Sequence, residues 1–215
     1  MHPGIESQWE DFVKLLLASG NPHLKEHLKK PLVQHLITMC VIRLVPHQTG
    51  AREENWQEKR PYLCMEHTIL VNGCYFQGRD LPSKYHLGIP KLCYGNSIDA
   101  LERYQKLHYV EGYAQAIIPI QHAWNLDKQG KIVELTLAEH QLRPLTGLEY
   151  FGIAFKTPYI QAEMKRRKLA AIKRGRKDYN PSLIDDWENS WPLLQDKKTL
   201  QEAIIPPGKI SLFKD

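Results

Sequence analysis

A chain of 215 residues, 42% of them apolar, holds enough material for one substantial core. Its best apolar stretch, Leu32 to Val45, is broken by Gln34, His35 and Arg43 and falls short of the ~20 residues of a membrane span; the start lacks a secretory pattern, so a cytoplasmic protein is expected. The net charge of +5 is local, because residues 163–177 hold eight Lys and Arg against one Glu, and four cysteines in a chain this long read as reduced thiols.

In chain order, Ser7 and Glu10 fit a capping box, followed by Trp9, Phe12, Val13 and Leu16 at helical spacing. Asn21-Pro22 caps a short second helix, and Pro31 opens a third that runs to about Val45 with Leu32, Leu36, Met39, Cys40 and Arg43 along it. Residues 47–59 are polar and aperiodic and read as a loop. Asn72-Gly73 between apolar runs predicts a hairpin over Thr68 to Phe76. Residues 77–91 read as loop, and Ile98, Leu101, Tyr104 and Leu107 repeat as in a helix. Tyr109–Ala114, Ala116–Ile120, His122–Leu126, Lys131–Leu137 and Tyr150–Lys156 read as strands. Thr157-Pro158 caps a further helix whose Ile160 and Leu169 lie on opposite sides, so it either packs twice or leaves the core. Trp187 and Trp191 belong to a tail wrapped over the domain. Residues 1–60 form a helical segment packed on a core of 61–156, and 157–215 form a basic helix and tail, in one compact domain.

Three residue types in the middle of the chain carry chemistry. Cys93 opens a helical pattern, where unpaired backbone N–H groups and the positive end of the helix dipole favour a thiolate. His122 heads a strand. Glu134 stands in the apolar run Ile132-Val133-Glu134-Leu135, where a carboxylate is unexpected unless it is paired. Each taken alone has a plain structural reading, since free cysteines and strand histidines commonly belong to cores. Together, thiol, imidazole and carboxylate are what nucleophilic acyl transfer requires.

The turn tests the grouping. Asp127-Lys128-Gln129-Gly130 suits a type I turn that continues into a left-handed glycine, a three-residue loop. That register sets Trp124 opposite Glu134 and His122 opposite Thr136, so the acid lies on the histidine face. A loop of even length would put it on the other face, leaving Asp127 or Asn125 for the third role. Asn96 supports the site or simply caps its turn, Trp124 walls the histidine or is plain core, and Glu111 is a substrate contact or an edge-facing charge.

The order Cys93 at a helix start, Tyr109-Val-Glu-Gly-Tyr113, His122-Ala-Trp124, a glycine turn and an acid two residues before Thr136 resembles the transglutaminase-like superfamily. The likeness covers about 45 residues of this chain; the superfamily's terminal Asp-Pro-Thr stands here as Glu134-Leu135-Thr136. The resemblance implies an α+β, papain-like core, with the cysteine helix packed on an antiparallel sheet, flanked by N-terminal helices and a C-terminal helical extension. It implies Cys93 as nucleophile, His122 as general base and acid, Glu134 as orienting acid, and a protein or peptide substrate offering a glutamine or other amide.

Neither a cofactor nor a metal is expected. Cys64-Met-Glu-His67 has zinc-like spacing with Cys74 nearby, but no second pair completes a site. The basic run 165–177 lacks interleaved aromatics, which disfavours nucleic acid and leaves a solvated face or a site for an acidic partner. A non-catalytic interaction module built on that helix is the alternative to an enzyme.

Overall fold

A computed structural model describes residues 3–44, 62, 64–137, 145–186 and 192–210. The polar stretch 47–59, residues 138–144 and both Trp187 and Trp191 lie outside these residues. The described elements run α1 (Pro3–Ala18), α2 (Pro22–His27), α3 (Pro31–Leu44), α4 (Met65–Asn72), β1 (Cys74–Gln77), α5 (Cys93–Arg103), β2 (His108–Gln115), β3 (Pro119–Leu126), β4 (Ile132–Val133), β5 (Glu149–Phe155), α6 (Thr157–Lys173), α7 (Pro192–Gln195), α8 (Lys197–Ala203) and α9 (Pro207–Ile210). The architecture is α+β, with one five-stranded antiparallel sheet in the order β1-β5-β2-β3-β4. No helix among the described residues is long and apolar enough to cross a membrane.

Alternation along the strands creates two cores. Tyr109, Tyr113, Ala123, Phe151 and Ile153 face a cluster built with Phe12, Leu16, Leu24, Leu36, Ile69 and Leu101 from α1 to α5. Val110, Ala114, Trp124, Leu126 and Tyr150 face a second cluster with Phe76, Leu145, Leu148 and Ile210. α3 buries Leu32, Val33, Leu36, Ile37, Cys40 and Val41, the stripe of a helix wedged between neighbours. Asn21 caps α2 by accepting the His23 N–H at 3.1 Å, while its amide donates to Leu70 O at 2.9 Å and Gly73 O at 2.8 Å.

Several expectations need correction. α1 begins at Pro3, so Ser7 lies inside a helix and not at its cap; proline suits a first helical position, where no N–H partner is needed. The hairpin over 68–76 is instead α4 followed by β1. Met65 to Leu70 are all buried, so the apolar run has no periodicity to distinguish helix from strand. The Cys64 sulfur caps the helix by accepting the His67 N–H at 3.4 Å, and the Gly73 N–H closes it on Ile69 O at 2.7 Å. Gly73 is present for space and not for a turn: a Cβ there would stand 2.5 Å from Ile69 O and 2.9 Å from Gly152 O. Of the expected strand over 116–120, residues 116–118 are the bend joining β2 to β3 and only Pro119 and Ile120 are strand, opening β3, while the strand expected over 131–137 shrinks to Ile132–Val133. Thr157 does not cap α6; Lys156 holds that position, and the Thr157 hydroxyl donates to Leu107 O.

α6 buries Ile160, Met164, Arg167 and Ala171 along one face, while Leu169 and Ile172 are exposed. Its far side therefore faces away from the core. Arg167 is the exception in the basic run: buried, it pairs with Asp186 at 2.5 Å and Glu163 at 2.8 Å and donates to Asn180 O and Ser182 O.

Candidate active site

The site sits where the start of α5 meets β3 and the end of β4. Lys91, with φ +65°, turns the chain into α5, and Leu92 occupies the cap position without a side-chain cap bond. Cys93 is thus the first helical residue, half-buried, among the N–H groups that a helix start leaves without intrahelical partners. The incoming loop is clamped. Gly88 N–H donates to Leu135 O at 2.8 Å, and Asn96 holds Ile89 by accepting its N–H at 2.9 Å and donating to its carbonyl at 2.7 Å. The Asn96 amide also donates to the Thr136 hydroxyl at 2.8 Å, so the cysteine loop and the segment carrying the acid are joined through one side chain.

The β3–β4 turn has the expected length. Gly130 N–H donates to Asp127 O at 2.9 Å, Gly130 takes φ +69°, and the ladder pairs Leu126 with Ile132 and Asn125 with Val133. Beyond Val133 the chain leaves the sheet and Glu134 turns onto the histidine. His122 Nε2 lies 2.8 Å from Glu134 Oε2, with both side chains buried. Since Nε2 is engaged there, Nδ1 is the nitrogen left to face Cys93, whose sulfur is near enough to act on the ring's charge. The carboxylate is fully committed: Thr136 N–H at 2.8 Å and Leu137 N–H at 3.0 Å donate to Oε1, and the Tyr150 hydroxyl donates to Oε2 at 3.2 Å.

The electrostatics follow. Burial opposes a charged imidazole, yet the Glu134 charge, the nearby Cys93 sulfur and the Glu134 hydrogen bond outweigh it and hold His122 above its ordinary value. Burial likewise opposes the Glu134 charge, but His122 and the two backbone donors bring its carboxyl below the usual range. Burial and the neighbouring carboxylate push the Tyr150 hydroxyl up, so it serves as a proton donor throughout.

The ring of His122 stacks on Trp124, with centroids 6.2 Å apart and planes 15° apart, and Trp124 packs on Tyr150 at 5.1 Å. Glycines leave the space for this stack. Gly112 pairs with His122 across β2–β3, and Gly152 pairs with Gly112 across β2–β5. A Cβ on Gly152 would stand 2.6 Å from the far edge of the Trp124 indole.

Cys93, His122, Glu134, Asn96 and Trp124 therefore gather at one place. Glu111 and Asp127 are occupied elsewhere. Glu111 lies on the central strand β2, so it is no edge charge. Its buried carboxylate accepts from Tyr109 OH, Ser182 Oγ, Leu183 N–H and Ile184 N–H at 2.6–3.0 Å, anchoring a strap over residues 180–186. Tyr94, next to Cys93 in the chain, lies near enough to Glu111 and Ser182 of that strap for both to act on its hydroxyl, so Glu111 stands one step behind the site. Asp127 accepts the Gln129 and Lys131 N–H groups and pairs with Arg79 at 2.6 Å, which holds the turn. Asn125 donates to Ser97 O at 2.9 Å, fastening α5 to β3.

Sequence reasoning missed Tyr150, Arg79, Ser182 and the paired glycines; of these, only the isolated glycines inside strand patterns carried a signal, that of close approach. His67, in the zinc-like spacing, lies between Phe12 and Tyr62 and is lowered to about 4 by burial. Among the described residues no cluster of three or more His, Cys, Asp or Glu is placed to hold a metal ion. No family profile matches the chain, and no curated protein or solved structure is significantly similar to it.

Proposed function

We propose that this is a cysteine-dependent acyl-transfer enzyme acting on amide or peptide bonds, with a papain-like, transglutaminase-like core. The observation that carries the reading is the buried His122–Glu134 pair at 2.8 Å, with Cys93 at the start of α5 near enough to act on the imidazole. Cys93 attacks the carbonyl carbon as its thiolate, and the N–H groups at the start of α5 face the developing oxyanion. The His122 imidazolium then gives its proton to the departing amine as the C–N bond breaks, leaving a thioester on Cys93. Water or an amine, deprotonated by the now neutral His122, resolves the thioester by hydrolysis or by transfer. Glu134 fixes the ring orientation and balances the imidazolium charge, while Asn96 and Trp124 hold the parts in place.

The test is alkylation by iodoacetamide, read by peptide mass mapping across pH. Cys93 of the wild type is expected to react in the mildly acidic range, and His122→Ala to slow that reaction by about tenfold or more. Equal rates in the two proteins would overturn the reading. Activity against a peptide panel, abolished in Cys93→Ala, would then separate hydrolysis from transamidation.

A further inference from the structure

We propose that Cys40 and Cys64 form a disulfide site, oxidised by a peroxide or by a small disulfide such as oxidised glutathione. It does not depend on acyl transfer. Cys40 on α3 and Cys64 at the start of α4 are 24 residues apart in sequence, yet their sulfurs lie 3.4 Å apart. A disulfide needs about 2.05 Å, so the sulfurs have only about 1.4 Å to close. The remaining thiols are placed otherwise: Cys93 stands at the start of α5 beside His122, and Cys74 is wholly buried in the second core with its thiol pushed up by burial.

The two members are unequal. Cys40 is fully buried, whereas Cys64 is half-buried and reachable by a small oxidant. With a peroxide, the Cys64 sulfur attacks an oxygen, an S–O bond forms, the O–O bond breaks, and the leaving oxygen departs as water. The Cys40 sulfur then attacks the Cys64 sulfur, the S–S bond forms, and the S–O bond breaks to release a second water. Two thiols lose two electrons and two protons, and the peroxide gains them. The bridge ties α3 to the start of α4, whose Glu66 accepts the Tyr113 hydroxyl at 2.8 Å under the sheet. Closing that loop is expected to raise the melting temperature by about 5–10 °C.

The experiment uses the full chain. Reduced protein is treated with hydrogen peroxide or oxidised glutathione near stoichiometry, blocked with N-ethylmaleimide, digested without reductant and mapped by mass. A peptide pair joining Cys40 to Cys64, together with the rise in melting temperature, is the expected result. Recovery of both cysteines as maleimide adducts, or of Cys64 joined instead to Cys93 or to a second chain, would overturn the proposal. Cys64→Ser should lose the cross-linked pair and the thermal shift together; should that variant not fold, the wild-type map alone decides.

Discussion

Glu134 is the residue on which the site turns, because its two oxygens take donors from His122, Tyr150, Thr136 and Leu137 at once. Its longer side chain, relative to the aspartate of the resembled motif, reaches the histidine while its own following backbone folds back onto it. The pair also makes stability depend on pH in a defined way. The raised His122 contributes stability that is complete below its ordinary value of 6.5 and fades as pH rises through the folded value. The lowered Glu134 contributes stability present above its ordinary value of 4.5 and fades as pH falls through its folded value. Glu134→Gln should therefore destabilise most between these two pH values, by about 3–5 kcal/mol, with the gap narrowing on both sides. Urea unfolding of both proteins across that range checks it, and a gap independent of pH would show that the ion pair is not its source.

At the scale of elements, the glycines separate what could be foreseen from what could not. The start of α5 at Cys93 and the β3–β4 turn were legible because they rest on local rules, a helix-opening pattern and a turn with Asp first and Gly fourth. The α4 helix was not, because six consecutive buried residues erase periodicity and Asn72-Gly73 mimics a hairpin turn. Nor was the short β4, since its end is set by Glu134 leaving the ladder for His122, a contact made 12 residues away. Glu111 was readable as an anomaly, but its partners, Ser182 to Ile184, lie 71–73 residues further on. Gly152 illustrates the tertiary kind of constraint: a Cβ there would stand 2.5 Å from Glu111 O as well as 2.6 Å from the indole. Gly152→Ala should cost about 1–3 kcal/mol and alter the tryptophan fluorescence, since Trp124 must yield; an unchanged spectrum with unchanged stability would show that the stack has slack.

Across the whole molecule, the C-terminal part is fastened to the sheet by buried charge. Glu111 holds the strap from below, and Arg167 holds it from α6 through Asn180, Ser182 and Asp186. Glu111→Ala strands the donors of the strap and should cost about 3–5 kcal/mol. Limited proteolysis should then cut within 178–186 first; cleavage elsewhere would place the weak point outside the strap. Asn21 plays the matching part at the N-terminal side, joining the start of α2 to the end of α4 across 49 and 52 residues of sequence. α2 has six residues, well below the ~12–15 at which an isolated helix persists in water. Its persistence therefore rests on the carbonyls of Leu70 and Gly73, and the amide protection of the smallest of the N-terminal helices is expected to rise and fall with the docking of α4.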